Sequence, residues 1–194
     1  MNLTKLFEMQ NELDDYIVKT KGLEGQGLLP QKILALQVEL GECANEWRGF
    51  KYWSEDKEQN TDVKRAKGYN WTKPEYLHRP VDSFENPLLE EYVDCLHFIL
   101  SIGLELEPNI TEEWELPNSF RAEYSENQTE AFNLLFGAYN GIENREEIAK
   151  YECYIWSLEI FFELGEMLGF TWDQIESAYR TKWEINKQRQ VSGY

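Results

Sequence analysis

Apolar residues recur every three or four positions through most of this chain, and no stretch shows the strict alternation of a half-buried strand. Leu3, Leu6, Phe7, Leu13, Ile17 and Val18 predict a helix over 2–20, with Asn2 or Thr4 as its cap. The segment KGLEGQGLLP then resets the chain with glycines before Pro30. Pro30 suits a first helical turn, so a second helix is expected over 30–47, ended by Gly49. A third is expected over 86–106, ended by Pro108, and a short one near 129–139. A long helix over 145–168 follows, with Ile148, Tyr151, Ile155, Leu158, Ile160, Phe161, Leu164 and Leu168 around much of its circumference. Such a helix is either central to the core or part of a subunit interface. Gly169 stops it, and Thr171 caps a last helix with Trp172, Ile175, Ala178, Tyr179 and Ile185 on its apolar side. The expected fold is all-α, a helical bundle of about five to seven helices in a single domain spanning 1–194.

Two helices carry a second pattern. Glu39, Glu42 and Glu46 share one face of the second helix, beside Ile33, Leu36, Leu40 and Trp47. Glu91 and Asp94 share a face of the third, with Glu90 and His97 beside them and Leu89, Val93, Leu96 and Leu100 bordering them. Carboxylates next to a core-facing stripe are costly unless something positive sits among them. Oxygen-only ligands of this kind suit Mg²⁺ or Mn²⁺. A lone ExxE is ordinarily a solvated face. Two such pairs on two apolar helices bring the metal reading level with that one.

Composition narrows the choice. The net charge is −17, which argues against a generic nucleic-acid binder. The acidity is uneven: 105–152 carries twelve acids against three bases, while 51–80 and 179–190 are locally basic. Basic segments in an acidic protein fit a small anionic ligand, although charge balancing of neighbouring helices explains them as well. Residues 50–87 are too long for an idle connector and rich in aromatics, so they are expected to form a partly ordered flap near the site. Cys43, Cys95 and Cys153 read as buried thiols of a reducing compartment. No signal core or membrane span is apparent, and a cytoplasmic protein is expected. There is no Gly-rich phosphate loop, zinc constellation or serine elbow.

The motif Glu39-Leu-Gly-Glu42 followed by Glu91-Tyr-Val-Asp94 resembles the metal motif of the all-α NTP pyrophosphatase superfamily. Three further stretches resemble the dimeric dUTPases within it, a family found in phages, trypanosomatids and some bacteria. They are NEWRGFKYW (45–53), DCLHF (94–98) and the C-terminal KWEINKQRQVSGY (182–194), which is similar to the family's KNxxNHxRQxxGY. MQNELDDYI (9–17) is similar to the uracil-side motif QxxLN. Trp183, Lys187 and Asp14 depart from these patterns, and Asp14 cannot donate as an amide does.

The resemblance implies a phage-type enzyme that hydrolyses dUTP, and also dUDP, to dUMP. It implies two or three Mg²⁺ held by Glu39, Glu42, Glu91 and Asp94, with Glu39 or Glu42 taking the proton of the attacking water. Lys182, Asn186, Arg189 and Lys57 are the implied phosphate contacts. Gln10, Asp14, Trp53 and His97 are the implied surroundings of the deoxyuridine, although Trp53 is equally well explained by core packing. A homodimer is implied, without membrane or direct nucleic-acid binding. The acidic stretch 107–150 is similar in placement to a variable insert of staphylococcal-phage members, which bind a pathogenicity-island repressor. Two other readings stay open. One is a related enzyme acting on dCTP or another nucleotide, and the other is a non-enzymatic protein-binding factor.

Overall fold

A computed structural model describes residues 3–62, 86–106, 124–140, 142 and 145–192. It contains the helices α1 (Thr4–Lys21), α2 (Leu29–Trp47), α3 (Pro87–Leu106), α4 (Gln128–Asn140), α5 (Glu147–Met167) and α6 (Trp172–Val191). No strand occurs among the described residues. The helical bundle expected from the apolar periods is the fold observed.

The centre of the bundle is α3, which packs against α1, α2, α5 and α6. Twelve of its 20 residues are buried, so its surroundings are mostly protein. Residues 145–168 had two readings, and the core reading holds for α5. Tyr154, Leu158, Ile160, Phe161, Phe162 and Leu164 are buried, because α5 has α3 on one side and α4 on another. Ile148 departs from its expected apolar role and is 78% exposed. From the acidic stretch, α4 contributes Ala131, Phe132, Leu135, Ala138 and Tyr139 to the same core.

The helix ends follow local chemistry. Thr171 forms the expected cap of α6: its hydroxyl accepts from the Gln174 amide at 3.3 Å, and the Gln174 side chain accepts from the Thr171 N–H at 2.9 Å. Gly169 takes a left-handed conformation (φ 89) just beyond α5. At α1 the cap position is Leu3, with no side-chain cap bond, and Asn2 lies outside the described residues. At α2 the left-handed residue is Arg48 (φ 65), not Gly49. The Arg48 guanidinium holds this turn by donating to the Asp56 carbonyl at 3.0 Å. Gly49 is needed for a different reason, since a Cβ there would strike the Trp47 indole.

Beyond α2 the chain is pinned at Asn60. Its N–H donates to the Glu46 carbonyl at 3.0 Å, and its side chain donates to the Glu46 carboxylate at 2.6 Å. The Asn60 carbonyl then accepts from the N–H of Leu88, at the start of α3, at 3.0 Å. The flap expectation falls largely on residues 63–85, which lie outside the described residues.

Two close approaches fix α5 against α3, Gly103 of α3 under Tyr154 and Gly165 of α5 under Tyr92. A Cβ at Gly103 would strike the buried Tyr154 hydroxyl and ring, whereas a Cβ at Gly137 on α4 would meet nothing within 4 Å. Helix propensity favours alanine at both by up to about 1 kcal/mol, while overpacking costs about 1–3 kcal/mol. Gly103→Ala should therefore lower the urea unfolding midpoint, and Gly137→Ala should raise it slightly.

Candidate active site

The apolar period of α2 places Leu36, Leu40 and Cys43 in the core and leaves Glu39 at its margin. The same logic on α3 buries Val93, Cys95 and Leu96 and leaves Glu91 and Asp94 beside them. The two helices lie side by side, so Glu39, Glu91 and Asp94 each offer a carboxylate oxygen within 4.8 Å of the others. Glu42 is exposed and outside this trio, although its charge reaches both Glu39 and Glu91.

Gathered acids of this kind hold protons. Burial, then the charges of Asp94 and Glu42, push Glu39 up to about 7 despite the opposing Lys182 charge. Burial, then Asp94, Glu90 and Glu42, push Glu91 up to about 8. Burial also raises Asp94, although Lys182 works against it. Lys182 comes from α6 and donates to Asp94 at 2.6 Å and to Glu90 at 3.0 Å. Burial pulls its ammonium down, but Asp94 and Glu90 more than reverse this, and its pKa is raised. Three half-buried carboxylates, all raised by burial and two of them, Glu39 and Glu91, raised close to neutrality, form a donor set for a hard divalent cation.

Of the other expected phosphate contacts, Asn186 lies one turn beyond Lys182 on α6 and is half-buried. Arg189 is exposed, yet its charge lowers the pKa of Asp94. Lys57 is exposed on the segment after α2. Gly193 and Tyr194, the end of the C-terminal motif, lie outside the described residues.

Three of the four expected base-side residues come together. The Gln10 amide donates to Asp14 at 2.7 Å, and its oxygen lies 2.8 Å from His97 Nδ1. Burial, followed by the Lys182 charge, lowers His97 to about 3, so its ring is neutral at physiological pH. Trp53 stays apart from this group. It is 65% exposed and meets Phe50 and Tyr52 edge to face, which also removes its core-packing alternative.

Four participants were not foreseen. The Tyr179 hydroxyl donates to the Gln10 oxygen at 2.8 Å, and its ring stacks on His97 at 4.1 Å. Ser101 donates to Asp14, and Lys32 bridges Asp14 to Glu105. Tyr179 reads as core in the sequence. Ser101 and Glu105 were detectable only as the continuation, at four-residue steps, of the face that carries His97.

The two departures in the C-terminal motif act as a unit. The Trp183 indole N–H donates to the Met9 carbonyl at 2.7 Å. Lys187 lies 4.1 Å over the Trp183 ring and reaches Glu12 at 2.8 Å. Both dock α6 onto α1.

An all-helical bundle with acids from two neighbouring helices and a lysine from a third defines an all-α nucleotide hydrolase. Within that class, a family model described as dUTPase matches residues 2–67 and 79–194, and the chain belongs to this family. It is a dUTP diphosphatase, a hydrolase that acts on dUTP. A search of curated proteins finds no match. Among the described residues no helix is long and apolar enough to cross a membrane.

The raised acids predict a pH-dependent stability. Their folded pKa values lie above the unfolded value, so the stability they contribute is complete below about 4.5 and is lost as pH rises through 7 to 8. With EDTA present, Glu91→Gln should raise the melting temperature at pH 8 by about 2–4 °C. The gain should shrink at pH 5, where wild-type Glu91 already carries its proton. Thermal scans at the two pH values check this.

Proposed function

We propose that this dUTPase works with magnesium and converts both dUTP and dUDP to dUMP, with Glu39, Glu42, Glu91 and Asp94 as the metal-holding carboxylates. The observation that carries the reading is the meeting of Glu39, Glu91 and Asp94 oxygens within 4.8 Å, faced by Lys182. Glu42 completes the set from the same face of α2. Two or three Mg²⁺, or Mn²⁺ in their place, would neutralise the phosphate chain and lower the pKa of a bound water. Glu39 or Glu42 takes the proton of the attacking water. Water adds to phosphorus and the bond to the leaving pyrophosphate, or to phosphate from dUDP, breaks.

Lys182, Asn186, Arg189 and Lys57 bind the phosphate oxygens, Arg189 through its planar fork. Lys182 is already cationic beside Asp94 and Glu90, and its side chain is only 6% exposed, so it presents charge at a fixed place. Glu90 orients it, and Glu46 is tied through Asn60 to the start of α3. Gln10, Asp14 and His97 surround the deoxyuridine, and Trp53 closes over it. Supporting this last role, Trp53 is exposed and its segment leaves α2 just beyond the carboxylates.

The reading takes 1–194 as one catalytic domain of a phage-type enzyme in the cytoplasm. It functions as a homodimer, a state supported by the outward Leu34 and Val38 on α2, 63% and 51% exposed. The acidic 107–150 stretch is its variable part and the surface for a repressor protein.

The test is dUMP formation. Wild type with Mg²⁺ should turn over dUTP and dUDP, and hardly dCTP or dTTP, and EDTA should stop it. Glu42→Gln should lower kcat by at least about 100-fold. Arg189→Ala should chiefly raise KM, by about tenfold. Magnesium-independent turnover, or equal rates on dCTP, would overturn the reading.

A further inference from the structure

The Lys32 ammonium lies where three helices meet. Its Nζ donates to the Asp14 carboxylate of α1 at 3.4 Å, the Ser101 carbonyl of α3 at 3.3 Å and the Glu105 carboxylate of α3 at 2.9 Å. An ammonium has three N–H bonds, and each has an acceptor here. The side chain is only 15% exposed.

From this anchor the proton positions follow one by one. An ionised carboxylate only accepts, so the Gln10 atom 2.7 Å from Asp14 is its amide nitrogen. The other end of Gln10 is a carbonyl oxygen, which also only accepts. It is 2.8 Å from both the Tyr179 hydroxyl and His97 Nδ1, so both must donate to it. His97 therefore carries its proton on Nδ1, and Nε2 is a bare acceptor. That nitrogen is buried and has no hydrogen-bond partner among the described residues. The residue itself is 5% exposed.

We propose that Lys32 is a positioning residue of this enzyme: through Asp14 and Gln10 it fixes the His97 tautomer whose bare Nε2 accepts a hydrogen bond from the nucleoside of the substrate. The choice of ligand rests on the nucleotide reading above, while the tautomer rests on hydrogen bonding alone. Two groups of deoxyuridine supply the donor chemistry, the N3–H of the base and the 3′-hydroxyl of the sugar. Without the ammonium, Asp14 loses its cation and releases Gln10. The amide can then turn over and present NH₂ to Nδ1, and the imidazole proton moves to Nε2. In that state the ring offers a donor where the substrate needs an acceptor.

The tautomer is read by two-bond ¹H–¹⁵N correlation on the ¹⁵N-labelled, substrate-free full chain, with His78→Gln removing the other histidine signal. Wild type and Lys32→Arg should show a protonated Nδ1 and an unprotonated Nε2, and Lys32→Met should lose that single tautomer. Should Lys32→Met not fold, Asp14→Asn serves instead, because an amide no longer dictates which end of Gln10 faces it. A protonated Nε2 in wild type, or an unchanged tautomer in the variant, would overturn the relay.

Kinetics test the ligand half. Lys32→Met should raise KM for dUTP about tenfold with kcat little changed, and Lys32→Arg should restore it. This penalty should vanish with dCTP if Nε2 reads N3–H, or with 2′,3′-dideoxyuridine triphosphate if it reads the 3′-hydroxyl. A penalty that persists with both analogues would overturn the contact to the nucleoside. Absence of dUTP turnover by wild type would count against the dUTP reading and that contact, while the nitrogen signals would still decide the relay.

Discussion

Like charges held close together in a half-buried place are the condition on which the rest of this structure depends. Glu39, Glu91 and Asp94 repel one another, and nothing in their own chemistry brings them together. What forces them together is the apolar seam behind them, where Leu36, Leu40 and Cys43 of α2 and Val93, Cys95 and Leu96 of α3 are buried. Each large apolar side chain removed from water contributes about 1.5–3 kcal/mol, so the seam outweighs the repulsion. Lys182 provides the single buried cation of α6 against Asp94 and Glu90, and its removal would leave charges there without compensation.

Along α3 the polar positions form one stripe. Glu90, Asp94, His97, Ser101 and Glu105 follow at steps of three or four on a helix otherwise enclosed by protein. They are answered from three neighbouring helices. Lys182 of α6 meets Glu90 and Asp94, Gln10 of α1 meets His97, and Lys32 of α2 meets Ser101 and Glu105. Ion pairs thus occupy both ends of the stripe, Lys182 with Glu90 and Asp94 at one and Lys32 with Glu105 at the other. His97 lies between them, one turn from Asp94 and stacked on Tyr179.

The parts that were legible from sequence are those governed by local period. Apolar spacing located the six helices, and the Thr171 cap was visible from its own residues. Glu39, Glu91 and Asp94 were legible because two motifs on two apolar helices need only pack side by side to converge. What was not legible depends on which helix faces which. Lys32 looks like a solvated lysine until α1 and α3 are placed beside it. Tyr179 looks like core, and is, but its hydroxyl takes part in the polar cluster. Arg48 displaced Gly49 from the left-handed position because its guanidinium found Asp56, a contact that no helix-end rule anticipates. Trp53 shows the converse, since an aromatic next to a carboxylate motif gave no sign that it would stand in solvent.

Asn60 carries a consequence for how such a chain can diversify. Its backbone joins the end of one carboxylate-bearing helix to the start of the next, through Glu46 on one side and Leu88 on the other. The described chain on either side of 63–85 is therefore tied together at that one knot. The family model skips residues 68–78, which fall inside that stretch of sequence. A closed excursion grows at small entropic expense, about 0.6 kcal/mol per doubling of its length. Sequence can therefore be spliced in or trimmed away there over generations while the carboxylates keep their spacing, which makes this junction a natural port for new specificity.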